Sequence, residues 1–106
     1  MESISVKKSI DEAKQITALE IGGMLVLENS DELKTRLIEA CQKLNKKIVV
    51  TIKDVIDIDI SCIQLILAFI NYLDDNHISY AFDWHLDEDQ SVLLENVGFS
   101  NELFLN

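Results

Sequence analysis

Apolar and polar positions alternate in the first part of this chain and then change period. Ser3 to Lys8 alternate weakly. Gln15 to Ile21 alternate better, with Ile16, Ala18, Leu19 and Ile21 apolar. Both runs predict strands, because successive side chains on a strand point to opposite faces. Gly22-Gly23 marks a turn or bulge, and Met24 to Leu27 resumes a short extended run. From Asn29 the spacing becomes three and four. Leu33, Leu37, Ala40, Cys41 and Leu44 predict one face of an amphipathic helix, with Lys34, Glu39 and Lys43 outside. Asn29 reads as its N-cap, with Glu32 reaching back, and Lys46-Lys47 suit its C-terminal end. Ile48 to Ile52 is a short β-branched run of the buried-strand type.

The run from Val55 to Leu65 is the most informative in the chain. Apolar and acidic residues alternate as far as Asp59, and a nearly unbroken apolar pattern then predicts a helix from about Ser61 to Asp75. Only Gln64 and Asn71 interrupt the apolar residues between Cys62 and Leu73. That is too apolar for a single sheet-facing stripe, so the far side needs cover from neighbouring elements or from a partner. Ile78 to Trp84 predicts a further strand. Asp87 with Gln90 predicts a capped start for a last helix carrying Val92, Leu93, Leu94 and Val97. Gly98 fits the position just past that helix, with Phe99 as its hydrophobic contact, and Leu103-Phe104-Leu105 as a final docking turn. Strand–helix–strand repeats imply right-handed crossovers and parallel neighbours. The expected fold is α/β: a half-open sandwich with a mixed sheet of four to five strands and three to four helices.

At 106 residues the chain predicts one domain, residues 1–106, able to fold without disulfides or metal. Residues 1–50 carry equal numbers of cations and carboxylates, so the whole net charge of -10 falls on residues 51–106. Such a surface argues against nucleic acid and against anionic membranes, both of which need cations. Its complement is a protein with a basic face. The N-terminal residues lack the apolar core of a signal peptide, and no apolar run is long enough to span a bilayer. Cys41 and Cys62 both fall in predicted helices as buried thiols, which suits a reducing cytoplasm. The expected protein is cytoplasmic, a monomer or weak dimer.

Strands 48–52 and 78–84, if parallel, end on one edge. Asp54, Asp57 and Asp59 follow the first, and Asp83, Asp87, Glu88 and Asp89 are read as following the second, seven carboxylates in all. The expectation is one acidic rim where α/β folds place their sites. Asp59 can cap the next helix, and Ser61 lies in its first turn. A phosphate on Ser61 would meet free N–H groups and the positive helix end, but also the charges of Asp57 and Asp59. A divalent-cation site from Asp54, Asp57, Asp59 and Asp83 is a second reading, and no calcium-loop pattern supports it. Neither His77 nor His85 follows a nucleophile elbow, no CxxC exists, and the glycines form no phosphate loop. The residues therefore predict no enzyme, no metal and no cofactor.

The order of these segments resembles the STAS domain family, which includes bacterial anti-sigma-factor antagonists and the cytoplasmic tails of sulfate transporters. The resemblance is carried by Gly23-Met24-Leu25 through Asn29-Ser30-Asp31-Glu32-Leu33, by Ile48 to Ile52, by Ile58-Asp59-Ile60-Ser61-Cys62-Ile63, and by Val92 through Val97-Gly98-Phe99. The third resembles the family's Asp-Ser-Ser-Gly-Leu signature. In the antagonists a partner kinase phosphorylates the first hydroxyl after the Asp, which breaks partner binding. That position is Ile60 here; Ser61 matches the second hydroxyl and Cys62 the Gly. The Asp-Ile-Ser-x-Ile-Gln-Leu wording is similar to the branch found beside chemotaxis and histidine-kinase systems. The resemblance implies a non-enzymatic bacterial signalling regulator that binds an anti-sigma kinase or sensor kinase. Asp57, Asp59, Ile60, Ser61 and Gln64 would make the contact, with Ser61 the candidate phosphorylation residue. The alternative is a module of the same fold that binds a small molecule, nucleotide or cation.

Overall fold

The computed structural model describes residues 3–96. The expected Gly98 cap, its Phe99 contact and the Leu103–Leu105 turn lie outside these. Along the chain run strands β1 (Ile4–Asp11) and β2 (Ile16–Leu25), a 3-10 turn (Leu27–Asn29), helix α1 (Ser30–Ala40), strand β3 (Lys47–Ile58), helix α2 (Ile60–Asp75), strand β4 (Ser79–Trp84) and helix α3 (Glu88–Asn96). The sheet has the order β1-β2-β3-β4. The β1–β2 pair is antiparallel, and β2–β3 and β3–β4 are parallel, so the sheet is mixed.

Period-two alternation decides which face of the sheet is covered. Leu19 and Ile21 of β2, Ile48, Val50 and Ile52 of β3 and Phe82 of β4 are buried on one face. α1 contributes Leu33, Leu37 and Ala40 to this core, and α2 contributes Cys62, Ile63, Ile66, Phe69, Ile70 and Leu73. Leu93 and Leu94 of α3 pack on its edge. The alternating residues of the other face are largely polar, and there Lys53 reaches Glu20 at 3.2 Å. This is the half-open sandwich.

Three local readings are revised. Asn29 does not cap α1 with its side chain. Its Nδ2 instead donates to the Met24 carbonyl at 2.9 Å, and a 3-10 turn leads into the helix. α1 ends at Ala40, earlier than Lys46-Lys47, and Lys47 already belongs to β3. The cation at its C-terminal end comes from another element: Lys8 of β1 donates through Nζ to the carbonyls of Gln42 at 2.7 Å and Ala40 at 3.4 Å. Arg36 also ties α1 to β1, donating to the Val6 carbonyl at 2.6 Å. Both cations meet orphan or edge carbonyls that a sequence period does not reveal.

The third revision matters most for the site. β3 does not stop at Ile52 but continues to Ile58, and β2 continues with it through an irregularity rather than a turn. Their pairing shifts register around Gly23. A Cβ on Gly22 would lie 2.0 Å from the Lys53 carbonyl oxygen, so only glycine permits this approach of the two backbones. Opposite, Asp54 takes a left-handed conformation with φ 54°. Past the irregularity Val55 pairs with Gly23, Asp57 with Met24 and Ile58 with Leu25.

Candidate docking site at the junction of β3 and α2

The lengthened β3 divides the expected acidic rim. β4 ends at Trp84, opposite Ile52, while β3 runs on for six residues, up to about 20 Å of strand. Asp83 pairs with Thr51 and is exposed on the open side, where it meets His85 at 2.8 Å. Asp54 lines a hollow on that side with Lys7, Glu20 and Lys53. Asp87 begins α3 as a reciprocal cap: Gln90 N–H donates to its carboxylate at 2.8 Å, and Asp87 N–H donates to Gln90 Oε1 at 3.2 Å. Glu88 and Asp89 lie in the first turn of α3, so of these carboxylates Asp57 and Asp59 are the two that precede α2. Among the described residues no three His, Cys, Asp or Glu side chains form a group that could hold a metal ion. Asp54, Asp57, Asp59 and Asp83 are therefore not assembled into a cation site.

Asp59 organises the junction. Its backbone is extended, and its Oδ1 accepts from the N–H groups of Ser61 at 3.1 Å and Cys62 at 3.5 Å, capping α2. The Ser61 hydroxyl also donates to Oδ1. Oδ2 accepts from Leu27 N–H at 2.8 Å, across thirty-two residues of sequence, and Asp59 N–H donates to the Leu25 carbonyl at 3.0 Å. One carboxylate thus fastens the start of α2 to the turn that precedes α1. Partial burial opposes its charge, but hydrogen bonds from the Ser61 hydroxyl and the N–H groups of Leu27, Cys62 and Ser61 outweigh it and hold the pKa below the usual carboxylate value.

The remaining candidates surround this carboxylate. Asp57 is exposed, its Oδ1 accepting from Ile58 N–H at 2.9 Å. Ile60, the first residue of α2, is 49% exposed. Ser61 and Gln64 line a hollow of about 210 Å³ with Ser30, Asp31, Lys34 and Leu65. Pockets that enclose a small molecule begin near 300 Å³, so this hollow is better proportioned for a side chain. Cys62 is fully buried, donating to the Val26 carbonyl at 3.5 Å. Burial pushes its thiol up to about 11, with the Asp59 charge adding to the rise. It stays protonated at neutral pH and belongs to the core.

The sequence reading missed two residues here. Leu27 is 63% exposed and Ile56 is 56% exposed. Leu27 is hydrogen-bonded to Asp59, and Ile56 precedes it in β3, so both join Ile60 at this end of the molecule. The available signal was a large aliphatic residue next to a helix start and another inside an acidic alternation.

Comparison with known proteins accords with this architecture. A family model described as the STAS domain matches residues 7–103. No curated protein matches the chain in sequence. Among solved structures, an anti-sigma factor antagonist from Mycobacterium paratuberculosis superposes with a TM-score of 0.75. The match covers 97% of this chain and 84% of that one at 10% sequence identity, which is a likeness of fold.

Proposed function

This chain belongs to the STAS domain family, and we propose that it is a non-enzymatic regulator that binds a partner protein at the β3–α2 junction. The observation that carries the proposal is the composition of that surface: Leu27, Ile56 and Ile60 stand exposed around a pair of carboxylates, Asp57 and Asp59. Exposed large aliphatic residues next to fixed charge favour a protein partner, since apolar contact supplies affinity and the acids select a basic face. One solved fold neighbour is an anti-sigma factor antagonist, which makes an anti-sigma factor or a sensor kinase the class of partner to seek. The site is built before binding, because Asp59 fixes both α2 and the Leu27 turn.

Phosphate control enters through Ser61. Ile60 occupies the position where the family's antagonists carry their acceptor, so Ser61 is the hydroxyl that remains in the matching segment. A phosphate there would add nearly two negative charges beside Asp59 and displace the hydroxyl from its carboxylate. The Asp59 bridge to Leu27 would then be strained by repulsion, and docking would weaken.

Affinity capture from the source cells tests the proposal, comparing the wild-type chain with Asp57→Lys and Ile60→Lys, both at exposed positions. A regulator or kinase retained by the wild type and lost with both variants is the expected result. Retention that ignores both changes would sink the proposal. Intact-mass measurement after incubation with the captured kinase and ATP addresses Ser61 separately: a gain of one phosphate abolished by Ser61→Ala is expected, and a gain that survives it removes Ser61 as the acceptor.

A further inference from the structure

The hollow beside Ser61 has one cation among its lining residues. Ser30, Asp31 and Lys34 of α1 stand across about 210 Å³ from Ser61, Gln64 and Leu65 of α2. Ser30 and Lys34 are one helical turn apart, and so are Ser61 and Leu65, so each helix presents a single face to the hollow. Lys34 is exposed. The ion pairs among the described residues join Arg36 to Glu32, Lys53 to Glu20 and His85 to Asp83, and Lys34 takes part in none of them. Even Asp31, which shares the hollow, forms no ion pair with it. On its other side Lys34 lines an apolar groove that runs between the helices to Ile38 and Tyr72, where no other lining residue is charged. Apolar surface is thus available to the lysine stem in the groove, while hydroxyl, amide and carboxylate groups lie on the side of the hollow.

The other cations of the chain are placed elsewhere. Lys8 and Arg36 tie α1 to β1. Lys7 and Lys53 line the hollow on the open face of the sheet. Lys43, Lys46 and Lys47 come after the C-terminal end of α1, and Lys14 lies in the turn between β1 and β2.

Ser61 therefore has two chemical states with different neighbours. As a free hydroxyl it donates to Asp59 Oδ1. To form the ester, its Oγ bonds the γ-phosphorus of ATP on a partner kinase. The bond from that phosphorus to the bridging oxygen breaks, ADP leaves, and the hydroxyl proton goes to solvent. The ester oxygen has no proton to donate, and the phosphate charge is repelled by the Asp59 carboxylate. Away from Asp59, the hollow offers a cation and an amide donor, Lys34 and Gln64.

We propose that Lys34 is the counter-ion of a phosphate on Ser61. Its ammonium holds the phosphate in the hollow, bridges α1 to α2, and fills the space that a partner's side chain would enter. This deepens the phosphate control of Ser61 proposed above and rests on it.

The test places phosphoserine at position 61 of the full chain during synthesis, by suppression of a stop codon. The ³¹P resonance is then followed from about pH 4 to about pH 8, across the second ionisation near 6. Lys34→Met keeps the stem and removes the charge. Losing a paired cation favours the protonated phosphate, so the phosphate pKa is expected to rise by about 0.5, the size of an exposed ion pair. Asp31 and Asp59, the other charges beside the phosphate, are the same in both proteins. Lys47→Met, at the far end of β3, is the control and is expected to leave the titration where it was. A titration that Lys34→Met does not move, or that both variants move equally, would overturn the proposal. Urea unfolding reads the bridge separately: Lys34→Met is expected to lower the midpoint more in the phosphoprotein than in the unmodified chain, and equal falls count against it. A phosphoprotein that circular dichroism shows to be unfolded also overturns it, because the hollow would then not accommodate the group. Since no kinase is needed, the two readings separate. No phosphate gained at Ser61 from the captured kinase sinks the acceptor reading alone, and an unmoved ³¹P titration sinks the pairing alone.

Discussion

Asp59 does three jobs with one carboxylate, and substitutions separate them. Asp59→Ala removes the cap of α2 and the bond to Leu27, and is expected to cost about 1–2 kcal/mol in a urea titration. Asp59→Asn keeps a capping oxygen and removes the charge. Its use is the pH profile. The folded-state pKa of Asp59 is lowered, so the ionised group contributes stability above the unfolded value, near 3.9. That contribution is lost as pH falls through the lower folded value. Stability measured from pH 5 to pH 2 is therefore expected to fall less steeply in Asp59→Asn than in the wild type; equal slopes would refute the assignment. The cap itself was legible, because an Asp before an apolar helix pattern has few other roles. The bond to Leu27 was not, since it closes across two elements that only the sheet brings together.

At the scale of elements, the irregularity between β2 and β3 sets how far the junction projects. Gly22→Ala puts a methyl into the Lys53 carbonyl and is expected to destabilise by about 1–3 kcal/mol, measured as a lowered urea midpoint. An unchanged midpoint would mean that the strands can separate there without cost. The docking of α1 is tested by Lys8→Met, which keeps the aliphatic stem and removes the cation from the helix end. A loss of about 0.5–1.5 kcal/mol is expected, with thermal unfolding as the check. α2 was readable almost to the residue from its apolar run and its Asp cap. β3 was read as the five residues Ile48 to Ile52 of its twelve, with the alternation from Val55 to Asp59 not joined to it. The strand continues because β2, beyond its own irregularity, still offers backbone partners to Val55, Asp57 and Ile58.

Over the whole molecule, the asymmetry of charge governs association. A complex formed at the acidic junction is expected to weaken as ionic strength rises from 0.05 to 0.5 M, because exposed charges are screened over shorter distances. Isothermal titration with the captured partner measures this, and an affinity independent of salt would show that the acids play no part in docking. The sequence by itself determined the α/β class, the layering of helices on one face and the acidic, hydroxyl-bearing start of α2. These are local or periodic properties: side-chain period, cap chemistry and net charge are all written along the chain. Tertiary structure alone decided how the carboxylates divide, sending Asp54 and Asp83 to the open side and leaving Asp57 and Asp59 at the junction. It also brought the Leu27 turn to Asp59, and opened the groove between Ile38 and Tyr72. Those outcomes depend on strand register and on which helix lies beside which, and both are fixed by contacts between residues far apart in sequence.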